Sequence, residues 1–330
     1  ACGGELQPAG FRPATRSGPV AVIDIGTNSV LFLLAERDGA VVRPIRQEIR
    51  TTRLGRGLSS SGRIGKEEIG RTAAVLTEWK ELARAIGAGT PVCTGTQVFR
   101  AAANRQEALT VLLNETGLKI EVLPEQDEAA WSYMGVVHGL AGAGRTVVMD
   151  IGGGSTEWAA GDGPALRHSR SLPIGAVTLT EKHLKSDPPA TAELAAMTDE
   201  IRCAFAPDIP AQDPSVPFIC VGGTATTLAG LELGLERYDA AVVDGTELGI
   251  RVVRTWAEKL AGQSRSMRRV TVRIDPERAD ILSAGLFILL TWMESAGIPS
   301  VRVSDRGLRF GIAARELGLV TQTGFPVQNA

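Results

Sequence analysis

The chain has 330 residues, 44% of them hydrophobic and 22% charged, enough to bury two cores of ordinary domain size. A formal net charge of -2 leaves no global basic field, which argues against a nucleic-acid binder. Cys2, Cys93, Cys203 and Cys220 have neither CxxC nor Cys/His ligand spacing, so they mark no zinc site or disulfide framework and fit a reducing cytosol.

Residues 1–17 lack an apolar core long enough for a signal peptide and read as a disordered tail. Residues 20–36 read as a hairpin of buried strands around the loop GTNS. A helix is expected over 66–86, where Ile69, Ala73, Leu76, Ala83 and Ile86 recur near helical spacing. A strand TPVCTGTQ follows, then a helix over 100–117 closed by Gly117, a short strand KIEVLP, and a helix from Glu125. At AGAGRT the pattern restarts. TVVMDI, a glycine loop and STEWAAGDG repeat the opening hairpin, and APDIPAQDPSVP separates a helix from the strand FICVG. GGTATTLAG turns into another helix, and 300–318 reads as strand, loop and helix. The apolar run 284–293 is too short to span a bilayer and reads as a buried helix, so no membrane partner is expected. Strands alternating with helices, with a hairpin at each start, predict an α/β protein of two domains with mixed sheets around a central cleft. Their bounds are 18–143 and 144–330, and the last helix is a candidate to pack back on the first domain.

The glycine loop sits in VVMDIGGGSTEW, residues 147–158, and has an echo in AVIDIGTNSVLF, residues 21–32. Asp24, Ile25, Gly26 and Ser29 match Asp150, Ile151, Gly152 and Ser155 at a constant offset of 126 residues. A dinucleotide fingerprint needs glycine where this loop has Glu157, and GRIGKEE lacks the features of a Walker A loop. A phosphate cradle with metal survives. Gly152, Gly153 and Gly154 let backbone N–H groups converge on an oxyanion. Asp24 and Asp150, at the ends of equivalent strands, would suit Mg²⁺, which takes few protein oxygens and completes its shell with water and phosphate.

AVIDIGTNS, DIGGGSTE and VGGTATTLAG resemble the phosphate motifs of the exopolyphosphatase/guanosine pentaphosphate phosphatase (Ppx/GppA) family, within the actin-like ATPase superfamily of ribonuclease H-like domains. RLGRGL, GTQVFRAAAN, LPEQDEAAWSYMGV, LPIGAVTLTE, DPERADILSAG and VSDRGLRFGI follow in the family's order, so the resemblance covers roughly residues 20–320. It implies two actin-like domains and Mg²⁺-dependent hydrolysis of the terminal phosphoryl group of inorganic polyphosphate or guanosine pentaphosphate. It places the catalytic base on Glu128, metal-binding carboxylates on Asp24, Asp150 and Glu157, and phosphate contacts on Asn28, Ser29, Arg100, Gly153, Gly154, Ser155, Gly222, Gly223 and Thr224. Arg278 and the run Arg265, Arg268, Arg269 and Arg273 are candidates to line a polyanion track, although a solvated face explains the run more simply. Two departures stand out: Ala130 replaces an expected Arg, and Arg306 stands where the family has Gly, either contacting phosphate or facing solvent.

The expectation is therefore a cytoplasmic exopolyphosphatase, with a homodimer implied by the resemblance alone. A guanosine pentaphosphate 5′-phosphohydrolase using the same site is the alternative. A non-hydrolytic polyphosphate or nucleotide sensor, or an actin-like ATPase or sugar kinase, ranks below both.

Overall fold

The opening hairpin forms from β1 (Val20–Ile25) and β2 (Ser29–Asp38), paired antiparallel with Asp24 opposite Leu31 in a computed structural model describing residues 18–140, 144–205 and 216–320. The expected tail, the 143/144 boundary region and most of the 206–217 run lie outside the described residues. A third strand, β3 (Val41–Thr51), continues the hairpin and was not legible beforehand. Its sequence VVRPIRQEIRT is half polar and contains Pro44, which an edge strand tolerates because one side of its backbone has no partner to satisfy. Two strands, β4 (Val92–Gly95) and β5 (Ile120–Val122), add in parallel on the other side, giving the order β3-β2-β1-β4-β5.

The helix expected over 100–117 is instead two, Gln97–Ala101 and Arg105–Thr116, the second ending at left-handed Gly117 as expected. Asn104 stands between them. Its side-chain oxygen accepts the Ile64 N–H at 2.8 Å, and its amide donates to the Ile64 carbonyl at 3.0 Å. Helical periodicity cannot register such a tie to a distant segment.

The second sheet uses β6 (Arg145–Ile151), β7 (Thr156–Asp162), β8 (Ala165–Leu172), β9 (Phe218–Val221), β10 (Glu247–Gly249) and β11 (Ser300–Val303). Its order is β8-β7-β6-β9-β11-β10, the first sheet's plan with one antiparallel edge strand added. Two mixed sheets on one plan give the α/β architecture that the repeated hairpin implied. The polar strand β8, ALRHSRSL, escaped the sequence reading for the same reason as β3.

Two helices exchange sheets. Helix Glu125–Val137 follows the first sheet in sequence but packs on β6, β7 and β8, where the Tyr133 hydroxyl donates to the Gly163 carbonyl at 2.8 Å. Helix Leu308–Glu316 follows the second sheet but packs on β1, β2 and β3. The pair cross where glycines remove side chains: a Cβ on Gly135 would strike the Gly307 carbonyl, and one on Gly311 would strike that of Trp131. Val20, Leu33, Tyr133, Val148, Phe310 and Ile312 share one buried cluster as a result. Burying it stabilises the exchange at roughly 25 cal/mol per Å² of apolar surface removed from water.

Among the described residues one helix, Ala279–Ala296, has the length and mean hydropathy (1.3) of a membrane span, but 78% of it is buried inside the protein. It contains the predicted apolar run and is a core helix packed on the second sheet's side, with Leu282, Leu286, Leu289 and Trp292 fully buried.

Candidate active site

Each central hairpin ends in the same turn. The Gly26 N–H donates to the Ser29 carbonyl and the Gly152 N–H to the Ser155 carbonyl, both at 3.0 Å. The two loops then nest across the cleft. A Cβ on Gly153 would lie 3.1 Å from Thr27 Cβ, and one on Gly154 only 2.6 Å from Thr27 Oγ1. Thr27 and Asn28 therefore occupy the space that the opposite glycines leave free. A third loop enters at Gly222, the N-cap of helix Gly223–Glu232. Gly222 has φ 87°, and a Cβ there would lie 2.7 Å from Asp150 Oδ1, so both conformation and space require glycine.

These loops surround a cavity of about 130 Å³, open to solvent. Asn28, Ser29, Gly153, Gly154, Ser155, Gly222 and Gly223 line it, as do Asp24, Glu128, Asp150 and Glu157. Backbone N–H groups at the loops and at a helix N-terminus are suited to a phosphate. Two sequence-predicted residues stand elsewhere. The Thr224 side chain packs against Gly285 of the core helix, and Thr226 lines the cavity in its place. Arg100 stands behind the wall: its Nη1 lies 2.6 Å from Glu128 Oε2 and donates to the Leu123 carbonyl at 2.8 Å.

Four carboxylates in so small a space disfavour their own charges. Asp24 is pushed up to about 8 by burial, then by the charges of Glu128 and Asp150, against the pull of Arg309. Glu128 is pushed up to about 7 chiefly by burial, with Arg100 opposing. Burial also raises Asp150, moderated by the Ser132 hydroxyl that donates to its Oδ2 at 2.9 Å. Glu157 is held well above the usual carboxylate range by burial and by the charges of Glu128 and Asp150, although Ser171 donates to its Oε1 at 2.7 Å. A carboxylate near neutrality is suited to accept a proton at physiological pH.

Among the described residues no three His, Cys, Asp or Glu side chains form a ready cage for a metal ion. The donors fit a different mode of binding. Asp24 Oδ1 is buried without a hydrogen-bond partner. A cation bound by one or two carboxylates, with water and phosphate oxygens completing its shell, would satisfy that atom and relieve the crowded charges.

The family model described as "Ppx/GppA phosphatase family" matches residues 33–319. The chain belongs to this family. It is 32% identical over 310 residues to exopolyphosphatase 2 of Mycobacterium tuberculosis, covering 89% of this chain and 97% of that one. A guanosine-5′-triphosphate,3′-diphosphate pyrophosphatase of Vibrio atlanticus is 29% identical over 301 residues, but the match spans 58% of its length. The crystal structure of an Aquifex aeolicus Ppx/GppA family member superposes with TM-score 0.76 at 32% identity, covering 91% of this chain and 97% of that one.

The departures from the family's pattern find plain places. Ala130 is buried in the cluster shared by the exchanged helices. Arg306 neither lines the cavity nor simply faces solvent: its guanidinium stacks 4.9 Å from the Phe310 ring, and its Nη2 donates to the Val42 carbonyl at 3.4 Å. Within the arginine run, Arg265 and Arg269 are exposed and pair with Asp280, whereas Arg268 is buried 3.8 Å from Asp187. Arg278, read only as part of a track, lines the cavity itself, its Nε 3.1 Å from Asp275 Oδ2 and its Nη2 donating to Ser29 Oγ at 3.2 Å. Sequence reading missed Arg309, also on the wall. Its signal was an Asp305/Arg309 pair at i,i+4 spacing where a helix begins.

Proposed function

We propose that this protein is an Mg²⁺-assisted exopolyphosphatase that releases orthophosphate from the end of inorganic polyphosphate. The observation that carries this reading is Glu128, 9% exposed and raised to about 7, on the wall of a cavity ringed by the loops at 26–29, 152–155 and 222–223. The terminal phosphoryl group would lie against the N–H groups of the loops at 26–29, 152–155 and 222–223. Glu128 would orient a water molecule and take its proton as the new P–O bond forms. The bridging P–O bond breaks in line, and the shortened chain leaves as the anion. Asp24, Asp150 and Glu157 are the residues that would hold Mg²⁺. When bound, the ion neutralises charge on the phosphoryl oxygens. Arg100 would act as the partner that keeps Glu128 in place. The 18–143 and 144–330 domains would form the two walls of the cleft.

Guanosine pentaphosphate is the second substrate to test, because relatives named for it match the same region. The near-complete coverage of exopolyphosphatase 2 favours polyphosphate. The deciding assay measures orthophosphate release from defined-length polyphosphate and from guanosine pentaphosphate, with and without Mg²⁺. Faster Mg²⁺-dependent turnover of polyphosphate supports the proposal. Preference for the nucleotide replaces it with the alternative, and tight binding without release makes the protein a sensor. A cytoplasmic location and a homodimer belong to the same proposal. Sedimentation of the purified protein tests the dimer.

A further inference from the structure

Five carboxylates but only two guanidinium groups, Arg278 and Arg309, line the cavity. A polyanion entering such a site needs positive charge that is free to meet it. Arg278 is already engaged by Asp275 and Ser29. Arg309 is different. It is 3% exposed, its Nη2 donates to Asp305 Oδ2 at 2.8 Å, and its Nη1 is buried without any hydrogen-bond partner. A buried guanidinium nitrogen without an acceptor is costly, because a charged donor has been taken out of water with nothing to replace it.

The side chain is also held in place. Asp305 accepts from the Tyr238 hydroxyl on its other oxygen, so the carboxylate is clamped between tyrosine and arginine. Arg309 stands in the first turn of helix Leu308–Glu316, which meets the Glu128 helix at the Gly135/Gly307 and Gly311/Trp131 contacts. Those backbone contacts fix Arg309 relative to Glu128 across the exchange of helices. The charge of Arg309 also reaches Asp24, on whose carboxyl it acts.

The geometry points to Arg309 as a catalytic residue whose free Nη1 donates to an oxygen of the transferring phosphoryl group, with Asp305 and Tyr238 as positioning residues. This rests on the phosphohydrolase reading above. An arginine placed within the same chain stabilises charge that develops on the equatorial oxygens as the bridging bond breaks. Lysine cannot substitute fully, because one ammonium cannot both pair with Asp305 and present a second donor in a fixed plane.

The test compares wild type, Arg309→Ala, Arg309→Lys and Tyr238→Phe in steady-state hydrolysis of polyphosphate, with thermal melting of each. Arg309→Ala is expected to lose ~10²–10³-fold in kcat with KM changed less than about fivefold. Guanidinium ion at millimolar concentration is expected to restore part of that kcat, and methylammonium is not. Tyr238→Phe is expected to lower kcat roughly fivefold, a smaller effect through Asp305. Arg309→Lys keeps the charge and covers an alanine variant that does not fold; it is expected to lose at least about tenfold. A folded Arg309 variant with kcat within threefold of wild type overturns the assignment, and so does a loss confined to KM that guanidinium does not rescue. Wild type inactive on polyphosphate and on guanosine pentaphosphate overturns the hydrolase reading and this role together. An active wild type with indifferent Arg309 variants overturns this role alone.

Discussion

The loops at 24–29 and 150–155 share their turn and their Asp, Ile, Gly and Ser positions, and differ at the two residues between and in what faces the aspartate across the hairpin. Both close with the same Gly-to-Ser hydrogen bond, and in both the aspartate pairs across the hairpin with the second strand. Asp24 faces Leu31 in register, whereas Asp150 faces Glu157. Asp24 keeps one oxygen without a partner; Asp150 receives the Ser132 hydroxyl. Thr27 and Asn28 in the first loop fill the room that Gly153 and Gly154 leave in the second. The two turns are equivalent, and what they bring to the cleft differs. One loop contributes a single acid and bulk; the other contributes an acid pair and space.

The largest effect should come from the residue that acts on both loops. Glu128→Gln is expected to lose ~10²–10⁴-fold in turnover while melting close to wild type, because its charge raises both Asp24 and Glu157 and its proposed task is proton transfer. Near-normal phosphate release by that variant would sink the assignment of the base. The asymmetry between equivalent positions comes next. Glu157→Gln should reduce turnover by about 10²-fold, whereas Leu31→Gln should change it only a few-fold, read by the same phosphate assay. Equal losses would show that the two loops share one role after all.

The nesting can be broken and repaired. Gly154→Ala places a methyl group 2.6 Å from Thr27 Oγ1 and 2.9 Å from Gln97 Cγ. Overpacking there is expected to destabilise by about 1–3 kcal/mol. Adding Thr27→Ala should recover part of the loss, a coupling that thermal melts of the single and double variants measure. No recovery would place the strain on the Gln97 side of the contact.

Turnover should climb with pH up to about 7 and then level, since the proposed base works only when ionised. Below that point the fall approaches tenfold per pH unit, and a flat profile from pH 5 to 8 would contradict it. The smallest effect concerns stability. Asp24, raised from 3.8 to about 8, binds its proton more tightly folded than unfolded. Its contribution is therefore fully present below pH 3.8 and is lost as pH rises through about 8. Asp150 and Glu157 act in the same direction, while His138, lowered by burial, opposes them around its ordinary value. Melting temperature without divalent ions should consequently fall between pH 5 and 8, and Mg²⁺ should raise it most at pH 8. An Mg²⁺ effect independent of pH would argue against the carboxylates as its ligands.

Much of the site was legible because its chemistry is local. Asp24, Asp150 and the glycines mark a candidate phosphate loop within six residues, and the constant offset marks its second copy. Glu128 needed the family's motif, since an acidic first turn is ordinary on any helix. Thr224 and Arg100 fell in matching motifs, but one turns into the core and the other stands behind Glu128. The edge strands β3 and β8 carried little periodic signal, because strands paired or packed on one side alone tolerate polar residues.

By itself the sequence determined the two hairpins, their repeated turns and the acids at their ends, since each follows from residue type and short-range spacing. The last helix was already a candidate to pack on the first sheet, and only the tertiary structure decided that the Glu125–Val137 helix would cross to the second in return. That exchange depends on the Leu308–Glu316 helix finding strands at the other end of the chain and on glycines that let two backbones touch. It places Glu128 and Arg309 on one cavity wall, an arrangement that short-range spacing does not encode.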